Sequence, residues 1–290
     1  MTPTSNISLV TVFAAGPGGG NPAPVILDAA GFADADMRAV AAAYGHESVF
    51  VFPPPDHSDC HFTFRFFVPN HEMEMCGHAT LGAVWLLKQL DKLPGEQIRI
   101  ATLSGTVEAQ VGPDGIEISQ PKGKLEPLKT DGHARKILAV LGVDEAGLAP
   151  QPIWNASTSR TKTLIPLKNP AILDGLRPDF DRIERICEAI GSTGLYPFAV
   201  SDAQNRIFEA RQFPKSSGYP EDAATGIAAA ALAFGLLENG QVSAEGAPVR
   251  VRQGRAMGRP SEIRVRFQTD SAGAVRGCWL GGDVRFEAGH

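Results

Sequence analysis

Four side chains stand where they could do acid–base chemistry: Glu47, Cys76, His78 and Asp222. Glu47 lies between a helix that Gly45 ends and a strand from Ser48 to Phe52, a place from which a side chain can reach a cleft. An exposed loop acid is the plain alternative. His78 falls in the first turn of a helix, directly after Gly77. Cys76 precedes the same glycine, and a thiol at a helix start ionises more readily than a free one; a small buried residue is the other reading. Asp222 precedes a second helix as an N-cap, a role that alone would explain it. Glu72 and Glu74 read as solvated loop charges. His46 and His71 have no metal-ligand spacing, and no metal site is expected. No GxSxG elbow supports Ser-His-Asp catalysis.

Both helices open on residues of little bulk, Cys76-Gly77-His78-Ala79-Thr80 and Ala223-Ala224-Thr225-Gly226. A helix N-terminus presents unpaired N–H groups and about half a positive charge, and Gly or Ala there lets an anion approach the backbone. Two such starts converging on one cleft would grip a carboxylate, or stabilise a developing anion, without a metal. No Lys follows a GxxxxG pattern, which excludes a phosphate loop. The stretch Gly16 to Gly20 lacks GxGxxG spacing and no helix follows it directly. No cofactor is expected.

The elements that must hold these residues follow from periodicity. Ile7 to Ala14, Pro24 to Leu27, Ser48 to Phe52 and Cys60 to Val68 read as strands, with Phe62, Phe64 and Phe66 on one face of the last. Asp34 to Tyr44 has helical spacing, and a helix runs from about Cys76 to Leu90. Ile98 to Ala101 and Gly105 to Val111 look like paired strands. After a turn-rich stretch, Gln120 to Lys129, the order begins again. His133 to Leu141 and Phe180 to Ile190 are helices, while Lys162 to Pro166, Leu195 to Val200 and Arg206 to Phe213 are strands. A helix from about Ala223 to Glu238 and short strands between Val249 and Phe286 complete the chain. RFFVPNHEMEMCGHATLGAVWLL and ARQFPKSSGYPEDAATGIAAAALAFGLL each run strand, loop, tiny residues, apolar helix. This pseudo-repeat predicts two domains of one design facing one another.

Composition removes other classes. With 290 residues, 43% hydrophobic and 20% charged, the chain is globular and long enough for two cores. The net charge of -5 and scattered Lys and Arg argue against a nucleic-acid partner. The N-terminus lacks a basic start and a long apolar core, and the Ala-rich run from Ile227 to Leu237 is too short to span a bilayer, so neither a signal peptide nor a membrane partner is expected. Four widely spaced cysteines fit reduced thiols. A soluble, cytoplasmic protein is expected.

Five segments occur together in order: GNPAPVILDA (Gly20 to Ala29), HESVFVF (His46 to Phe52), RFFVPNHEMEMCGHATLG (Arg65 to Gly82), EDAATG (Glu221 to Gly226) and QGRAMGRPS (Gln253 to Ser261). They resemble the PhzF-like isomerases of phenazine biosynthesis, which share the diaminopimelate epimerase fold, and the likeness spans nearly the whole chain. The resemblance implies a mixed α/β (α+β) architecture of two pseudo-symmetric halves, each a mixed sheet wrapped around a central helix, usually as a homodimer. The halves are expected at 1–122 and 123–290, with a strand near 280–290 returning to the first. The family's catalytic glutamate falls on Glu47, its histidine on His78 and its aspartate on Asp222. Asn21, Cys76, Gly77, Thr225, Gly226 and Ile227 are expected to line the substrate, a small acidic metabolite.

On this expectation Glu47 removes a proton from one carbon and returns it to another. Desolvation in a closing cleft brings its carboxyl toward the range useful for both steps. Two departures qualify the likeness. Ile227 stands where the enzyme acting on dihydro-hydroxyanthranilate has serine, and Ala223 stands where the fold's two-thiol racemases have their second cysteine. The alternatives are an epimerase or racemase using Cys76 with another base, and a non-catalytic metabolite-binding member of the fold.

Overall fold

The computed structural model describes residues 7–113, 115–128 and 131–287. The chain divides into two compact units, Met1–Ser119 with Gly281–His290, and Gln120–Leu280.

In the first unit β1 (Ile7–Val12), β2 (Asn21–Ile26), α1 (Asp34–Tyr44), β3 (Ser48–Phe52), β4 (Phe62–Phe67), β5 (Glu72–Met73), α2 (Gly77–Gln89), β6 (Gln97–Thr102) and β7 (Gly105–Gly112) follow one another, and β8 (Gly115–Pro121) ends the run. β1 and β2 are antiparallel. β2 and β3 are parallel, with α1 as the crossover, and β3 and β4 are antiparallel. β4 and β6 are again parallel across α2, and β6 pairs antiparallel with β7. A parallel pair needs a long connection, and a helix supplies it each time. α1 ends at Gly45, whose φ of 67° is the left-handed cap that glycine adopts without strain. Met37, Val40 and Ala41 of α1 pack with Ile26, Phe50 and Phe67 of the sheet.

The second unit repeats this plan. Its elements are β9 (Lys124–Pro127), α3 (Asp131–Leu141), β10 (Trp154–Ser157), β11 (Thr161–Leu167), α4 (Pro170–Gly175), α5 (Phe180–Ala189), β12 (Gly194–Asp202), β13 (Ile207–Ala210), β14 (Phe213–Pro214), α6 (Gly226–Glu238), β15 (Val249–Gln253), β16 (Ser261–Thr269) and β17 (Val275–Gly281). β10 and β11 are antiparallel, β11 and β12 parallel, β12 and β13 antiparallel. β13 and β15 are parallel across α6, and β15 pairs antiparallel with β16. The sequence of pairings is that of β1 to β7. The last strand, β18 (Val284–Phe286), pairs with β1 in the first unit.

α2 and α6 correspond as well. Each has 13 residues, starts on glycine and buries ten of them. A helix apolar all round must be covered all round. α2 packs on β1, β2 and β3, and α6 on β9, β10, β11 and β16. Gly82 permits the first contact, since a Cβ there would lie 2.7 Å from a methyl of Val10. Among the described residues no helix is long and apolar enough to cross a membrane.

Several sequence expectations are corrected. The stretch read as turns from Gln120 carries the end of β8 and all of β9, while Lys129 lies outside the described residues. β10 and α4 were not anticipated; Asn169 caps α4 through Ile172 N–H at 3.0 Å, and Pro170 opens it. The strand expected from Arg206 to Phe213 is broken, because β13 pairs with β15 whereas Phe213–Pro214 turn back to pair with Gly194–Leu195. α6 begins at Gly226, three residues later than read, so Asp222 is not its N-cap; Thr225 is. Glu72 is no solvated loop charge. It receives two hydrogen bonds from Arg65, at 2.7 and 2.6 Å.

Candidate active site

In the first unit the site grows from two element starts. Gly45 stops α1, and three residues later β3 begins at Ser48, whose buried hydroxyl donates to the His46 carbonyl at 3.2 Å. Glu47 is thus held at the mouth of a buried strand. Across from it α2 begins, with Cys76 as its N-cap, Gly77 as its first residue and His78 as its second. Thr80 fixes that turn, its N–H and hydroxyl both donating to the Cys76 carbonyl at 3.0 and 2.8 Å.

These starts bring three chemically different groups together. The Cys76 thiol donates to Glu47 Oε2 at 3.5 Å, and Cys76 Sγ lies 3.3 Å from His78 Nδ1. His78 Nδ1 is itself 3.5 Å from Glu47 Oε2. The His78 side chain is 6% exposed and that of Glu47 18%, so the carboxylate is the member that reaches outward. Such a group can accept a proton from a ligand while the thiol and imidazole hold its oxygen. Asn21 is the first residue of β2, half-buried and opposite Val12.

The second unit holds Asp222 by a different set of bonds. Asp222 N–H donates to the Gln212 carbonyl at 3.0 Å, and the Thr225 hydroxyl donates to Asp222 Oδ2. Gln253, almost wholly buried, donates through Nε2 to the Asp222 carbonyl at 2.6 Å and to Thr225 Oγ1 at 3.2 Å. Its Oε1 accepts from Thr225 N–H at 3.3 Å and from the Tyr196 hydroxyl at 3.0 Å. Burial, reinforced by the charge of Asp222, pushes the Tyr196 phenol well above its ordinary value and keeps it a donor. Gly254 follows in the left-handed region (φ 80°); a Cβ there would come within 2.7 Å of the Ala223 carbonyl and closer still to that of Arg259. Beside Asp222, Glu221 takes a two-pronged bond from buried Arg211, at 2.9 and 2.8 Å. Ile227, second residue of α6, is half-buried.

Neither cap side chain takes up the first amides of its helix, Cys76 at α2 or Thr225 at α6. Both starts therefore keep the field that favours an anion. Sequence reasoning passed over Thr80, Tyr196, Arg211 and Gln253. Gln253 opens the segment QGRAMGRPS and Glu221 opens EDAATG, so the signal was present in the motifs; their partners are distant in sequence and could not be paired.

Comparison with known proteins identifies the family and the fold. The profile of the family described as phenazine biosynthesis-like proteins, PhzC-PhzF, matches residues 10–279. An uncharacterized isomerase of Deinococcus radiodurans is 32% identical, over 92% of this chain and 88% of that protein. The trans-2,3-dihydro-3-hydroxyanthranilate isomerase of Pseudomonas fluorescens is 30% identical over 98% of both chains. The crystal structure of a PhzF-family phenazine biosynthesis protein from Bacillus anthracis shares the fold with a TM-score of 0.84, at 22% identity and covering 97% of this chain and 96% of that one. Fold and relatives together are those of an isomerase class. The chain belongs to the phenazine biosynthesis-like (PhzF) family.

Proposed function

We propose that the protein is a cofactor-independent isomerase that shifts a proton within a small carboxylated metabolite, with Glu47 as the acid/base. The observation that carries this reading is the position of Glu47 Oε2, 3.5 Å from both Cys76 Sγ and His78 Nδ1 and at the exposed side of that cluster. Glu47 takes the proton from one carbon and returns it to another, so no net redox change occurs and the carboxylate ends as it began. The amides at the start of α2 stabilise the negative charge that builds on the substrate between the two steps. His78 hydrogen-bonds a polar group of the substrate and sets which carbon meets Glu47. Asn21 and Gly77 line its path. Ile227 puts a branched apolar group beside Gly226, which favours a substrate other than the dihydro-hydroxyanthranilate of the Pseudomonas relative.

The test is a panel of small amino, hydroxy and unsaturated acids incubated in D2O and followed by NMR. Glu47→Gln keeps the shape and removes the base; turnover falls at least ~100-fold, in line with the worth of a positioned general base. Undiminished turnover of the variant overturns the reading.

The Cys76 thiol, standing at the start of α2, favours one second reading, an epimerase in which Cys76 acts with another base. A single carboxyl that shuttles its own proton retains some protium in the product, whereas two bases exchange it fully for deuterium. Cys76→Ala abolishes turnover only in the second case.

A further inference from the structure

We infer that Glu47, Cys76 and His78 form a site for a thiophilic divalent cation of the zinc type, which would occupy the carboxylate and silence any proton transfer through it. This goes beyond the isomerase reading and does not rest on it. The three groups are of the types that bind zinc, and their ligand atoms all lie within 4.8 Å of one another. The individual separations are sharper evidence. Zinc holds sulfur at about 2.3 Å and nitrogen or oxygen at about 2.0–2.2 Å in a tetrahedron, so the edges of one face measure about 3.3–3.6 Å. Here the edges are 3.3 Å from Sγ to Nδ1, 3.5 Å from Sγ to Oε2 and 3.5 Å from Nδ1 to Oε2. Hydrogen bonding thus already spaces the atoms as one face of a zinc polyhedron, and little reorganisation is needed.

The supporting geometry is rigid. Cys76 and His78 share one helical turn whose carbonyl Thr80 clasps, and Glu47 is fixed by the strand that starts beside it. Three protein ligands with the carboxylate side open leave a fourth corner for water or a ligand anion, the arrangement of an accessible site rather than a closed structural one. The donor set selects the metal: thiolate with imidazole suits zinc, cobalt or copper, and magnesium and calcium need oxygen ligands. On binding, the thiol gives up its proton to solvent and sulfur becomes the anionic ligand.

The experiment uses the full chain, stripped with a chelator and dialysed. Titration with Co2+ is expected to develop, at one equivalent, a thiolate-to-cobalt charge-transfer band and the intense visible bands of tetrahedral cobalt. Zn2+ then displaces the signal and a large excess of Mg2+ does not. Cys76→Ser, His78→Ala and Glu47→Gln each weaken zinc affinity by ~100-fold or more, beyond the loss typical of an outer-shell partner. Near-ultraviolet circular dichroism verifies that each variant is folded, and the isosteric Glu47→Gln carries the test if the others are not. Absence of the thiolate band, or zinc affinity unchanged in folded Glu47→Gln and Cys76→Ser, overturns the inference. Zinc bound at this site with turnover unaffected would uphold it and overturn the role of Glu47 as base.

Discussion

Glu262 lies between two arginines, receiving bonds from Arg250 at 2.9 Å twice and from Arg252 at 3.2 Å. Burial by itself would raise its carboxyl, but these hydrogen bonds outweigh it and hold the group below the ordinary carboxylate range. A depressed folded-state value contributes stability above the unfolded value, about 4.5, and loses it as pH falls through the folded one. Glu262→Gln therefore destabilises by about 1 kcal/mol at neutral pH. Thermal melts of wild type and variant converge as the pH is lowered below about 4.5, the ordinary glutamate value. The same scale yields a reactivity prediction. Burial pushes the Cys187 thiol up to about 11, against the pull of Lys162 and Lys215. Mass spectrometry after alkylation of the native protein at pH 8 finds Cys187 unmodified, and labelled only on unfolding.

At the scale of elements, α2 and α6 are packed by omission of side chain as much as by its presence. Gly82→Leu would drive a branched group into Val10 and Val12, which already stand 2.7 and 3.3 Å from a hypothetical Cβ. Overpacking of this kind costs about 1–3 kcal/mol or more, read as a lower denaturant midpoint with the slope unchanged. Such helices were legible in the sequence, since continuous small apolar residues leave no polar face. Strand starts such as Ser48 were legible from β-branched and aromatic runs. What escaped was structure defined by partners remote in the chain. β10 is a short strand, WNAS, whose pairing with β9 and β11 makes it one. Glu72 looked solvated because its arginine lies seven residues earlier, on the neighbouring antiparallel strand. Glu47, Cys76 and His78 could be singled out by type and setting, but their mutual distances needed β3 and α2 to be folded. Asp222 read as a cap because caps are local; the Gln253 and Tyr196 bonds around it are not.

For the molecule as a whole, the repeated order of pairings shows how one design serves twice, while the two helix starts carry different residues. α2 begins Gly77-His78 and α6 begins Gly226-Ile227, so one start carries an imidazole and the other a branched alkyl group. The two units also differ in completeness along the chain. Removing residues 282–290 exposes β1 as an open edge and takes away the Phe286 ring that stands 4.8 Å from Trp85. Hydrogen exchange of the truncated protein loses protection in β1 and β2, while the amides of β11 to β13 keep theirs.

That closing strand also imposes an order of events during synthesis. Phe13 N–H reaches the Asp283 carbonyl at 2.7 Å and Glu287 N–H reaches the Leu9 carbonyl at 3.0 Å. A ribosome translating this message delivers β1 early and its partner only after all of Gln120–Leu280 has been made. The nascent N-terminal strand consequently waits with one flank unsealed until the last residues of the chain arrive.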